Sequence, residues 1–165
     1  MKVVVVGGSA SNVGKTTLAA RLIAEYAARG DTAAVKVTVH ETPCATSVTV
    51  IETLDAAGRR HDTARLLAAG ASRVVWVRVE RADVRNGLAL GLRAARLRRP
   101  ATIVVESTSA GIELRRIHDS WFVAGEGEGK PWAERHRNRA DHVVRSRDLI
   151  GGSGSGGRQV DVMTT

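Results

Sequence analysis

The 165-residue chain has a single cysteine, Cys44, and few aromatic side chains, which make up 3% of the sequence. One cysteine excludes an intrachain disulfide. The opening segment MKVVVVGG lacks the long apolar stretch and the cleavage site of a secretory signal. Scarce aromatic rings leave few platforms on which nucleic-acid bases could stack. These absences predict a cytoplasmic protein with no membrane partner.

Acidic residues are also the minority, because 25 Lys and Arg face 17 Asp and Glu and give a net charge of +8. A strongly basic chain can bind nucleic acid, but its charges must then gather along one surface. Here the arginines are spread along the predicted helices and strand edges, with only short clusters such as RLRRP and ERHRNR. We interpret them as solvated helix faces and expect no specific nucleic-acid partner.

The segment VVVVGGSASNVGKTTLAARLI, residues 3–23, runs from an apolar strand through a loop of small residues into an amphipathic helix. This order, with Gly14, Lys15 and Thr16 at the helix start, is the one that a P-loop requires. The loop is one residue longer than the pattern G-x-x-x-x-G-K-[ST], because Ser9 stands where the first glycine belongs and Gly8 precedes it.

Such a loop presents backbone N–H groups at the positive end of a helix dipole, which suits a polyphosphate. We predict a site for a nucleoside triphosphate, GTP or ATP, together with Mg²⁺. Lys15 would contact the β- and γ-phosphates and the Thr16 hydroxyl would bind the metal. The predicted nucleotide-binding residues are Gly8, Ser11, Asn12, Val13, Gly14, Lys15, Thr16 and Thr17.

Strand and helix patterns alternate along the rest of the chain, which predicts an α/β fold with a mostly parallel sheet covered on both faces. We assign residues 1–150 to one domain with this three-layer P-loop architecture. The second strand, TAAVKVTV, is followed by a return strand within ETPCATSVTVIETL, and the pair predicts an antiparallel hairpin at the sheet edge. GGSGSGG at 151–157 has a linker composition, and 158–165 is a terminal strand or a tail.

A magnesium site needs carboxylates that face the loop, and the wholly apolar strand TIVVE ends in Glu106. Such a strand is the natural neighbour of the P-loop strand, so Glu106 is predicted to act at the metal or its waters. The segment DAAGRRHDTARLLAAGA predicts a helix that begins at Asp62 and Thr63 and ends at Gly70.

This second segment resembles the Asp-x-x-Gly-x-Asp-[Ser/Thr] and Ala-Gly-Ala elements of the MobB-type proteins. Those are accessory GTP-binding P-loop proteins of molybdopterin-guanine dinucleotide biosynthesis. The resemblance runs over residues 2–106 and implies slow GTP hydrolysis, a cofactor-biosynthesis enzyme as partner and a homodimer. The matching positions are Asp55, Gly58, Asp62, Thr63, Ala69, Gly70 and Ala71.

A second resemblance is to dethiobiotin synthetase and related ATPases, carried by GGSASNVGKTT and VVESTSAG. These enzymes hold Mg²⁺ between the P-loop threonine, an aspartate and a glutamate. The resemblance implies Thr16 and Glu106 as metal ligands, with Asp62 or Asp55 as the aspartate. It also implies an alternative activity, ATP-dependent ligation or phosphorylation of a small carboxylate or hydroxyl.

Taken together, these features predict a magnesium-dependent NTPase with Lys15, Glu106 and Asp62 as catalytic residues and Thr16, Glu106 and Asp62 at the metal. A nucleotide-switched adaptor for a partner enzyme is the third alternative. No Asn-Lys-x-Asp segment selects guanine. In HETPC, residues 40–44, we expect His40 and Glu41 to contact substrate and Cys44 to be a packing residue.

Overall fold

The computed structural model describes residues 1–40, 48–53, 62–126, 129, 132–150 and 163–164. Within these ranges it contains eight strands, six α-helices and one 3₁₀-helix, Arg81–Asp83. The strands are β1 Lys2–Gly8, β2 Thr32–His40, β3 Val48–Thr53, β4 Arg73–Glu80, β5 Thr102–Glu106, β6 Asp119–Ala124, β7 His142–Arg145 and β8 Met163–Thr164. The helices are α1 Lys15–Ala27, α2 Asp62–Ala68, α3 Val84–Arg96, α4 Ala110–Glu113, α5 Ala133–Arg137 and α6 Ser146–Ile150.

The strands form one sheet in the order β3-β4-β2-β5-β1-β6-β7-β8. The six strands from β4 to β7 are mutually parallel, while β3 and β8 pair antiparallel at the two edges. The prediction of an α/β fold with a mostly parallel sheet is confirmed. Parallel pairing places the carboxyl ends of β1, β2 and β5 side by side, where open α/β sheets bind ligands.

The predicted edge hairpin is wrong. A hairpin would pair β2 with the strand that follows it, but both edges of β2 are occupied by the parallel strands β4 and β5. β3 instead pairs antiparallel with β4, and α2 lies between these two strands in the chain. The local pattern of two successive strands could not reveal that more distant strands take both sides of β2.

Strand β1 is central because its valines are buried on both faces. Val4 and Val6 belong to a hydrophobic cluster with Ile23 of α1. Val3 and Val5 belong to a second cluster, which includes residues of α3. Since side chains alternate across a strand, four consecutive valines fill both interfaces of a three-layer fold.

Two short helices, α4 and α6, were not predicted, since four or five residues are too few for a helical period to stand out. The proposed linker at 151–157 lies outside the described residues, while Met163 and Thr164 of the terminal segment pair with β7. In the described part of the chain, no helix combines the length and apolar character needed to cross a membrane.

His136 of α5 is fully buried against the end of β1 and the start of α4. Its Nε2 lies 3.0 Å from the Ser120 hydroxyl, and its ring meets Phe122 edge-on. A Cβ at Gly7 or Gly111 would overlap the imidazole, so both glycines are needed for this packing. Burial lowers the pKa of His136 to about 4.

The depressed pKa of His136 predicts that stability falls with acidity. Between pH 6.5 and 4 the unfolded chain binds a proton that the folded chain does not, so the free energy of unfolding should drop by about 3 kcal/mol from pH 7 to pH 4. Urea denaturation at these pH values measures the drop. His136→Gln removes the titrating group, and pH profiles that run parallel for both proteins would contradict the assignment.

Candidate functional site

A cavity of about 510 Å³ opens at the carboxyl ends of β1, β2 and β5. The loop between β1 and α1 forms one wall, and the segment 107–109 after β5 forms another. Lys36 and Thr38 line it from β2, Asp62 and Arg65 from α2. With Trp132, five separate stretches of the chain meet at the place predicted for the ligand.

The loop residues adopt backbone angles that suit their types. Gly14 caps α1 with φ of 97°, in the left-handed region that glycine enters at little cost. Asn12 has φ of 60°, which asparagine tolerates better than most residues. The two turns direct residues 14–17 into the first turn of α1, whose N–H groups have no partners within the helix.

Hydrogen bonds from neighbouring segments hold the first residues of the loop in place. The Gly8 N–H donates to Thr108 Oγ1 at 3.1 Å, and the same hydroxyl donates to the Gly8 carbonyl at 2.9 Å. Ser9 Oγ accepts a bond of 2.8 Å from the Gly125 N–H. Thr108 and Gly125 follow β5 and β6, so the two neighbours of β1 fix the loop.

Six of the eight residues predicted to bind nucleotide line the cavity, namely Ser11, Asn12, Gly14, Lys15, Thr16 and Thr17. The other two lie behind it. Gly8 ends β1, and the side chain of Val13 is buried in the core cluster beside α1. The Lys15 ammonium donates to the Ala10 carbonyl, which keeps its charge at the loop.

The predicted metal-site residues come together around Lys36. Glu106 Oε1 accepts a bond of 2.9 Å from the Thr16 hydroxyl and one of 3.0 Å from Lys36 Nζ. Lys36 Nζ also donates to Asp62 Oδ2 at 2.7 Å. In the β2–β5 pairing Lys36 lies opposite Glu106, which explains how the two side chains meet.

Burial makes this network electrostatically strong. The side chain of Glu106 is only 6% exposed and that of Lys36 15%, while Asp62 is half-exposed. Burial alone would lower the pKa of Lys36, but the two carboxylates outweigh it and raise that pKa above its ordinary value. Burial alone would raise the pKa of Asp62, but the hydrogen bond and charge of Lys36 hold it below its ordinary value.

The donor atoms of this network fit a hard divalent cation. Mg²⁺ prefers oxygen ligands and is usually held by one or two carboxylates together with substrate phosphates. Glu106 Oε2 is a buried carboxylate oxygen with no hydrogen-bond partner within the described part of the protein. With the Thr16 hydroxyl and Asp62, Glu106 could supply such ligands beside the loop.

Several residues of the cavity were not among the predicted site residues. Thr38, Ser107 and Ser109 bring hydroxyls to its far side. Trp132, which precedes α5, also lines it, and the Arg81 guanidinium lies 3.6 Å from the centre of its ring. Thr38 and Trp132 come from segments whose local sequence does not mark them, whereas Ser107 and Ser109 belong to VVESTSAG, the segment similar to dethiobiotin synthetase.

The remaining predicted residues give a mixed result. His40 is the last residue of β2, and its Nε2 accepts a hydrogen bond of 3.3 Å from Arg78 Nε. Glu41, Cys44 and Asp55 lie outside the described residues. Asp55 therefore cannot be compared with Asp62 as a metal ligand. The support for Asp62 is its bond to Lys36.

Comparisons of the chain with protein-family models, with curated proteins and with solved structures find no match.

We predict that Lys36→Met lowers the free energy of unfolding by about 3 kcal/mol, because it leaves the buried Glu106 carboxylate without its cation. The double variant Lys36→Met with Glu106→Gln should recover at least half of the loss, since the unpaired charge is then gone. Urea denaturation of the wild type, of Lys36→Met, of Glu106→Gln and of the double variant at pH 7 gives the double-mutant cycle. Additive losses would mean that the two side chains are not coupled.

Proposed function

We propose that the protein binds a magnesium complex of GTP or ATP in this cavity and slowly hydrolyses it. Water attacks the γ-phosphorus, the bond to the bridging oxygen of the β-phosphate breaks, and inorganic phosphate and the nucleoside diphosphate are released. The observation that carries the proposal is the bond between Thr16 of the loop and the buried Glu106, in a network that Lys36 completes. A strand-to-helix turn that binds no ligand does not need a buried carboxylate beside the first hydroxyl of its helix. A site for Mg²⁺ and phosphate does.

In this proposal each residue has a defined task. The loop N–H groups and Lys15 bind the β- and γ-phosphates and stabilise the negative charge that develops on them. Thr16, Glu106 and Asp62 hold the metal and its waters. Mg²⁺, when bound, neutralises phosphate charge and fixes the phosphate geometry. Lys36 orients the two carboxylates through its hydrogen bonds to them.

The biological role that we propose follows from the resemblance to the MobB-type proteins. It is an accessory function in molybdenum cofactor biosynthesis, in the cytoplasm, with a biosynthetic enzyme as partner and a homodimer as the working state. The support is the shared order of the P-loop, the Asp62 segment and the strand that ends in Glu106.

A second candidate is transfer of the γ-phosphate to a small carboxylate or hydroxyl. It is favoured by the extent of the cavity, which continues past the loop to Thr38 and to the hydroxyls of Ser107 and Ser109. A panel of small acids and alcohols decides between the two. Phosphate release that one acceptor accelerates, with a new product, favours transfer, while a constant rate favours hydrolysis.

Lys15→Ala should weaken triphosphate binding by about ten- to a hundredfold, because one charge-assisted contact is worth about 1.5–3 kcal/mol. Diphosphate affinity should fall less, since the loop N–H groups remain. Calorimetric titration with both ligands makes the measurement. The control is Lys2→Ala, whose ammonium bonds to Tyr26 far from the cavity. A folded Lys15→Ala protein with undiminished triphosphate affinity would refute the nucleotide assignment.

Glu106→Gln should reduce the effect of Mg²⁺ on triphosphate affinity and slow turnover, because an amide is a poorer ligand for a hard cation. Affinity is measured with and without Mg²⁺, and phosphate release in parallel. The matched control is Glu113→Gln, which removes a carboxylate paired with Arg85 outside the cavity. If Glu106→Gln and the wild type show the same magnesium dependence, Glu106 has only a structural role.

A further inference from the structure

Arg65 of α2 lies beside the loop although no sequence pattern marks it. Its Nη2 donates a hydrogen bond of 3.1 Å to the Thr17 hydroxyl, in the first turn of α1. Arg65 and Thr17 both line the cavity. The guanidinium therefore reaches from one helix to the other at the edge of the predicted phosphate site.

Among the residues that the structure describes, only a distant carboxylate balances the charge of Arg65. The Asp62 carboxylate is 4.0 Å from Arg65 Nη1, whereas it accepts a bond of 2.7 Å from Lys36. An exposed ion pair at the longer distance contributes little. The Arg65 side chain is 53% exposed, and a guanidinium has five N–H donors in a planar fork that matches phosphate oxygens.

The other cations that line the cavity differ in this respect. Lys36 is shared between two carboxylates, and the Lys15 ammonium donates to the Ala10 carbonyl of the loop. A triphosphate carries several negative charges. The cation whose existing ion pair is weakest gives up the least favourable interaction when it contacts a phosphate.

We infer that Arg65 binds a phosphate group of the ligand, as a second cation beside Lys15. This inference rests on the proposed function, because it assumes a polyphosphate in the cavity. The competing explanation is that Arg65 only joins α2 to α1 through Thr17. The two explanations differ in whether ligand affinity depends on the charge of Arg65.

The experiment measures binding of ATP, GTP and inorganic tripolyphosphate, each with Mg²⁺, by calorimetry. Arg65→Gln should lose about tenfold in affinity for all three, since one charge-assisted contact disappears. Arg65→Lys keeps the charge and should lose only about threefold. Arg29→Gln is the matched control, because Arg29 pairs with Glu25 at the far end of α1, and its affinity should equal that of the wild type.

The salt dependence of ligand affinity is a second readout. It would be the same in the wild type and the variant if Arg65 only bonded to Thr17 of α1. Affinity of the wild type should fall more steeply with added NaCl than affinity of Arg65→Gln, because one exposed attractive charge is absent from the variant. Thermal unfolding without ligand should differ little between Arg65→Gln and Arg29→Gln, as expected for exposed positions.

Each possible outcome is decisive. If Arg65→Gln binds tripolyphosphate as tightly as the wild type while Lys15→Ala does not, the role of Arg65 is refuted and the proposed function stands. A loss with nucleotides but not with tripolyphosphate also refutes it, because the contact is then to the base or sugar. If the wild type binds none of the three ligands, both proposals are refuted.

Discussion

The site depends on one interaction, the pairing of the Lys36 ammonium with the carboxylates of Glu106 and Asp62. A carboxylate as buried as Glu106 is stable in its charged form only beside a cation and hydrogen-bond donors. Lys36 supplies the cation from the neighbouring strand, and Thr16 supplies a donor from α1. The same ammonium fastens the start of α2 to the sheet through Asp62. One charged group thus connects the sheet with both helices that border the cavity.

This arrangement fixes the charges of the site but does not make the fold more stable than an apolar one would. Apolar residues of similar volume would often stabilise such a position as well as a buried ion pair does. Two carboxylates and one ammonium, in contrast, leave one net negative charge beside a loop of N–H donors and Lys15. A divalent cation can balance that negative charge, and phosphates can balance the positive charge of Lys15 and the loop N–H groups. The proposed ligand therefore matches both halves of the site.

The rigidity of the loop comes from the contacts that its first residues make with the segments around it. Gly8 is fixed by Thr108, Ser9 by the N–H of Gly125, and the end of β1 is packed against the buried His136. A phosphate-binding loop works best when its N–H groups are already oriented, because no ordering cost then falls on ligand binding. β5, β6 and α5 provide that orientation.

Local sequence signals are enough to predict the mostly parallel α/β class, the valine-rich β1, the loop with Gly14, Lys15 and Thr16, and the apolar strand that ends in Glu106. Hydrophobic period and glycine placement act over a few residues, so they can be interpreted without neighbours. The folded chain alone reveals that β3 pairs with β4, that Lys36 lies opposite Glu106, and that Arg65 and Trp132 reach the cavity. These facts depend on strand order and register, which are set by packing between segments far apart in the chain.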